Sequence, residues 1–210
     1  MTRAAAIKHG YTTGARSLAS RSVTGLTRTR VTPNALTASG VLLCAVASVL
    51  ALFAGRNEIL FFWLAALLFV VGSLLDVLDG ALARAGGKTT PFGAFLDSTT
   101  DRISEGFMLT AIAYVLAVHH HPVFVAVAVL AVAGSFLVSY TRAKAEALGL
   151  RGDVGIGSRA ERVVVITAGL VLAPWGVLPW SLVLLACTAW VTVGQRVLYV
   201  RKQLLEAQSE

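Results

Sequence analysis

An all-α polytopic membrane protein, with six transmembrane helices behind an N-terminal interfacial helix, is the fold class that the sequence predicts, and three observations predict it. Of 210 residues, 56% are hydrophobic and only 14% charged, with mean hydropathy +0.75, which leaves too little polar material to surface a water-soluble domain of this size. Six apolar runs lie at 34–54, 59–84, 93–117, 122–144, 160–175 and 179–201, most of them near the ~20 residues that a helix needs to cross a hydrocarbon core. The basic residues are dense in one connection and sparse in the next, as in a chain that crosses a bilayer repeatedly.

Taken in order, residues 1–32 form a cytoplasmic juxtamembrane segment. Arg3, Lys8, Arg16, Arg21, Arg28 and Arg30 are interspersed there with Ile7, Tyr11, Leu18, Val23 and Leu26, the composition of an amphipathic helix lying on a membrane. No apolar stretch in it is long enough for a secretory signal core. The membrane domain takes up 33–210. Its spans are separated by turn signals at Gly55-Arg56-Asn57-Glu58, Ala85 to Phe92, His119-His120-His121-Pro122, Gly149 to Ser158, and Pro174 to Pro179, rich in the residues that break helices. The fifth run is short. The glycine-rich stretch Gly152-Asp153-Val154-Gly155-Ile156-Gly157 follows no strand and lacks a Gly-Lys-Ser/Thr ending, so it reads as a flexible loop. The three adjacent histidines cannot all face one ion and read as a solvated corner.

Six Lys and Arg precede the first span, Arg84 and Lys88 lie between the second and third, and Arg142, Lys144, Arg151, Arg159 and Arg162 surround the connection from fourth to fifth. Arg196, Arg201 and Lys202 close the sixth, whereas the intervening connections hold one basic residue or none. Both termini are therefore expected in the cytoplasm of a cell-membrane protein. The net charge of +7 belongs beside an anionic membrane face, with no nucleic-acid partner implied. Cys44 and Cys187 both lie in apolar runs and read as small hydrophobes.

Five of the eleven acidic residues, Asp76, Asp79, Asp97, Asp101 and Glu105, fall within thirty positions at the facing ends of the second and third spans. Ionised groups at membrane depth cost on the order of 3 kcal/mol unless they line a wet pocket or meet a partner. Asp76 and Asp79 are three apart and Asp97 and Asp101 four apart, so each pair shares one face of its helix. Two such faces make a cluster of hard oxygen ligands suited to Mg2+ or Mn2+. Gly80 and Ala83 leave clearance beside it, and Arg84 offers a planar fork to a diphosphate.

The pattern Asp76-x-x-Asp79-Gly80-x-x-Ala83-Arg84, then eight residues, then Gly93-x-x-x-Asp97-x-x-x-Asp101 matches the signature of the CDP-alcohol phosphotransferase family at every defined position. The six-span layout extends the resemblance over nearly the whole chain. It implies a CDP-linked lipid donor such as CDP-diacylglycerol, release of CMP, a site at the cytoplasmic face, and two divalent ions. It makes Asp76, Asp79 and Asp97 metal ligands, with Asp101 near the metals and placed as general base. Gly80, Ala83 and Gly93 are then positions where the nucleotide packs, and Arg84 contacts donor phosphate. Pro33-Asn34-Ala35-Leu36-Thr37 resembles the family's element bordering the nucleotide, which implicates Pro33, Asn34 and Thr37. Pro33 and Thr37 serve equally well as helix-start signals. Members of the family are commonly homodimers.

Ser139 to Gly149, Val154 to Arg162, and Gln195-Arg196 look like the phosphatidylinositol-phosphate synthase branch. By that resemblance Ser139, Arg142, Arg162 and Arg196 bind the phosphate of an inositol phosphate acceptor. A helix-borne Arg one or two turns inside an apolar run also needs an anion on physical grounds. Phosphatidylglycerophosphate synthesis is the alternative within the family, and a cation transporter is the alternative outside it.

Overall fold

The computed structural model describes residues 32–87 and 89–208. The expected interfacial helix within 1–32 therefore lies outside the described residues, save Thr32. Among those residues there are six α-helices and no strand: α1 (Pro33–Leu52), α2 (Glu58–Ala85), α3 (Pro91–Val118), α4 (Pro122–Ala147), α5 (Arg159–Val171) and α6 (Leu178–Gln208), with a single 3-10 turn at Ala173–Trp175. Each expected apolar run is thus a helix. Four of them, α1, α2, α4 and α6, are long and apolar enough to cross a membrane. The other two depart from that standard for visible reasons, because α3 carries Asp97, Asp101, Arg102 and Glu105 within its 28 residues and α5 is only 13 residues long.

The helix limits follow from local chemistry. Proline opens α1, α3 and α4, where its missing N–H is no loss and its fixed φ suits the first turn. At α1 the hydroxyl of Thr32 accepts the Ala35 N–H at 3.3 Å, so Thr32, rather than Thr37, marks the helix start. Glu161 accepts the Ser158 N–H at 2.6 Å at the head of α5, the return half of a capping box. The fifth run stops as a helix at Val171, short of the expected 175, because Pro174 cannot continue the ladder and the chain turns through Gly176 at φ 74°. Conversely, α6 continues past 201 to Gln208. The histidine corner is an exposed turn with His120 at φ 58°.

The chain divides into two compact units, Met1–Leu43 with Val71–Ile103, and Cys44–Val70 with Ser104–Glu210. In the first, a Cβ at Gly40 would stand 2.8 Å from the carbonyl oxygen of Gly72, so α1 and α2 touch backbone to backbone there, as small residues allow in membrane helices. Leu36 and Leu82 are its buried apolar side chains.

The core of the second unit is rich in alanine, including Ala47, Ala51, Ala65, Ala128, Ala131 and Ala186, around Phe62, Phe69, Met108 and Ile112. Large apolar side chains such as Leu67, Val129, Leu184 and Leu198 are exposed instead. Small inside and large outside inverts the pattern of a water-soluble domain and suits a lipid solvent. The Trp63 indole donates to the carbonyl of Val171 at the end of α5 (3.0 Å), and that of Trp190 to Leu130 (3.1 Å), which satisfies polar groups that lipid cannot. Neither cysteine is in a disulfide; Cys44 is buried, its thiol directed at the carbonyl of Phe69 (3.9 Å), and Cys187 is exposed.

The stretch before α5 is a loop, as expected, but it is tethered rather than free. Gln203 accepts the N–H of Arg151 (3.0 Å) and donates to its carbonyl (2.9 Å), Arg196 donates to the carbonyl of Val154 (2.8 Å), and Thr192 accepts the N–H of Gly157 (2.8 Å). Gly155 has φ 122°, and a Cβ on it would collide with the Thr192 Cγ2. Only glycine lets the loop lie this close to α6.

Candidate active site

The first unit gathers the acidic residues. Asp76, from α2, and Asp97 and Asp101, from α3, each present a carboxylate oxygen within 4.8 Å of the others. A spread of that size matches oxygen ligands around one cation bound at about 2.0–2.5 Å. Asp76 is buried and Asp97 and Asp101 are half-buried, so the cluster is neither a solvated loop nor a sealed core.

Asp79 stands one turn beyond Asp76 and is held differently. It is 3% exposed, and its Oδ2 accepts the hydroxyl of Thr37 from α1. It also lies within electrostatic reach of Asp76 and Asp97. Thr37 is thus placed by a partner 42 positions away. Asn34 is exposed in the first turn of α1.

The other residues expected to border the donor share this unit. A Cβ on Gly80 would lie 3.3 Å from the Nη1 of Arg84, so the guanidinium folds back over the bare glycine, one turn past the aspartates. Ala83 is half-buried beside it. Gly93 donates its N–H to the hydroxyl of Thr90 (3.0 Å) at the head of α3. Arg102 donates to the Ser98 carbonyl of its own helix.

The basic set lies in the second unit. Ser139 is half-buried on α4, and Arg142 is exposed, its Nε 2.8 Å from the Oε1 of Glu146. Arg196 is buried and donates from Nε to Val154 and from Nη1 to the carbonyl of Val138. It lies within electrostatic reach of both Arg142 and Arg162. The acids Glu146 and Asp153 lie within the same reach of Arg196. Arg162 is buried as well, and its Nε and Nη2 grip both carboxylate oxygens of Glu105 at 2.7 and 2.8 Å. Sequence reasoning noticed Glu105 as a costly acid without seeing its partner. The available signal was its place four residues after Asp101, one turn further along the same helical face.

Comparison with known proteins decides the family. The model of the CDP-alcohol phosphatidyltransferase family matches residues 30–197. The chain is a CDP-alcohol phosphatidyltransferase family member. Among its relatives in that family, the archaetidylinositol phosphate synthase of Pyrococcus horikoshii is 39% identical over 175 residues, 83% of this chain and 86% of that one. The phosphatidylinositol phosphate synthase of Mycobacterium tuberculosis (strain ATCC 25618 / H37Rv) is 37% identical over 180 residues, 82% of this chain and 80% of that one. Crystal structures of the M. tuberculosis synthase are similar to this phosphatidyltransferase-family chain. The complex with manganese and citrate has a TM-score of 0.77 at 32% identity over 87% of this chain and 88% of the other. The complex with CDP-DAG has a TM-score of 0.75 at 30% identity, covering 88% and 94%.

Proposed function

We propose that this chain makes phosphatidylinositol phosphate, or its counterpart with the cell's own lipid chains, by transferring the phosphatidyl group of CDP-diacylglycerol to inositol phosphate with release of CMP. The observation that carries the reading is a carboxylate cluster, Asp76, Asp97 and Asp101 within 4.8 Å, in a chain that also sets Arg142 and Arg162 within electrostatic reach of the buried Arg196. The first suits a diphosphate and its cations. The second suits an acceptor that brings its own phosphate, which choline and ethanolamine do not. Relatives named archaetidylinositol phosphate synthase and phosphatidylinositol phosphate synthase support the same acceptor.

The cluster fits Mg2+ or Mn2+ by donor type and spread, and manganese in the related structure agrees. Asp76, Asp79 and Asp97 would hold the ions, two in number, with Asp101 beside them. When bound, such ions supply charge neutralisation for the diphosphate and make CMP a better leaving group. The chain's residues do the rest. Arg84 orients donor phosphate, while Gly80, Ala83 and Gly93 leave room for the nucleotide and Pro33, Asn34 and Thr37 border it. Ser139, Arg142, Arg162 and Arg196 hold the acceptor phosphate. The acceptor hydroxyl oxygen then bonds to the phosphorus that carries diacylglycerol, the bridging oxygen departs with CMP, and the proton passes to the Asp101 carboxylate.

The same reading gives a cell-membrane enzyme with six spans, α3 and α5 completing the four apolar ones. Both termini and the site face the cytoplasm, and the functional unit is a homodimer. Support comes from the distribution of basic residues and from the family.

Purified protein supplied with CDP-diacylglycerol, Mn2+ and a panel of inositol phosphate, inositol, glycerol 3-phosphate and buffer alone tests the reaction. Release of CMP with inositol phosphate is expected. Release with glycerol 3-phosphate alone would reassign the acceptor, and no release with any acceptor would leave the cation-transporter alternative standing instead.

A further inference from the structure

We infer that Glu105 is a positioning residue for the acceptor phosphate, acting through Arg162; this rests on the proposed reaction and deepens it. Both side chains are nearly fully buried, and the carboxylate takes Nε and Nη2 of the guanidinium side-on, at 2.7 and 2.8 Å. Nη1 donates to the carbonyl of Gly157 at 2.9 Å. A buried ion pair returns little net stability, because desolvating two charges offsets their attraction. Its value lies in what it orients.

Three of the five N–H groups of Arg162 are committed in this way, which leaves one on each terminal nitrogen. Gripped by Glu105 along one edge and by Gly157 at Nη1, the plane cannot swing, so those two remaining donors hold a fixed direction, which favours hydrogen bonding to an anion. The same contact fixes the loop. Gly157 gives its carbonyl to Arg162 and its N–H to Thr192, while Arg196 holds the carbonyl of Val154. Arg162 and Arg196, both assigned to the acceptor phosphate, are therefore set by one loop, and Glu105 is the acid that locks it to α3.

The sign of the effect separates orientation from charge. Removing a negative group near an anion site strengthens anion binding if charge alone matters. If orientation matters, the acceptor binds more weakly. Glu105→Gln keeps the shape but turns an NH2 toward Nη2 or Nε, so the side-on grip is lost.

Steady-state CMP release by the full-length enzyme, varying each substrate separately, reads the difference. Glu105→Gln is expected to raise KM for inositol phosphate about ten-fold, the scale of one lost charge-assisted hydrogen bond. KM for CDP-diacylglycerol should stay unchanged, and Glu105→Asp should recover part of the loss. Thermal unfolding in detergent, run alongside, establishes that each variant is folded. An unchanged or lowered acceptor KM in folded Glu105→Gln, an equal rise in both KM values, or failure of both variants to fold overturns the positioning role. Absence of CMP release by the wild type with inositol phosphate is a distinct result that overturns the proposed reaction and this inference together.

Discussion

At the residue scale, the proposed chemistry rests on carboxylates that share a small volume, Asp76 and Asp79 buried and Asp97 and Asp101 half-buried. Asp101 is the assigned base, and Asp97 an assigned ligand. Asp97→Asn and Asp101→Asn are each expected to lower the rate of CMP release by a hundred-fold or more, the scale of about 10²–10⁴ for a positioned acid–base group, with unchanged thermal unfolding. Near-wild-type turnover in either would remove that residue from the chemistry. The aspartates were legible in the sequence because helical spacing alone put Asp76 with Asp79 and Asp97 with Asp101 on common faces. Two other pairings were not. Thr37 meets Asp79 across 42 positions and Arg162 meets Glu105 across 57, and no local period encodes which helix faces which. Read from the sequence, Thr37 was as good a helix-start signal as a site residue; the hydroxyl of Thr32 caps the helix and frees Thr37 for the carboxylate.

At the element scale, helix existence was read from apolar runs of membrane length, and all six runs are helices. What the runs did not disclose was where a helix stops being apolar enough for lipid. The four charged residues of α3 and the proline after α5 set that limit, and both are local features whose consequence depends on what surrounds them. Close approach of α1 and α2 at Gly40 was likewise invisible, since glycine in an apolar run is common. Gly40→Val places side-chain carbon where the Gly72 carbonyl already stands, 2.8 Å from the first added atom. Overpacking of this kind costs about 1–3 kcal/mol, so the unfolding temperature of the variant in detergent is expected to fall. An unshifted transition would contradict the backbone contact.

At the scale of the whole molecule, the distribution of charge carries the proposed topology. Basic residues concentrate in the connections after the second and fourth runs and at both ends, and the positive-inside rule turns that asymmetry into an orientation. In a background lacking Cys44 and Cys187, a cysteine at His120 is expected to react with a membrane-impermeant maleimide only from outside the cell. One at Lys202 should react only after the membrane is opened. The reverse pattern would invert the protein and place the aspartates where a cytoplasmic donor could not reach them.

The three tethers of the loop also set a phase. Thr192, Arg196 and Gln203 are spaced four and seven residues apart on α6, and at ~100° per residue they fall on one stripe of the helix, like teeth on a rack. The loop meshes with it in reverse order, Gly157, Val154, Arg151. From Arg196 to Gln203 the helix advances about 10 Å, and the three residues from Arg151 to Val154 span at most about 11 Å when extended. There is little slack to absorb an insertion. Surface loops ordinarily tolerate added residues, but here one extra residue in the loop, or one in α6 that rotates the lower teeth by ~100°, slips the mesh. The length of an irregular segment is thereby tied to the winding of a regular one.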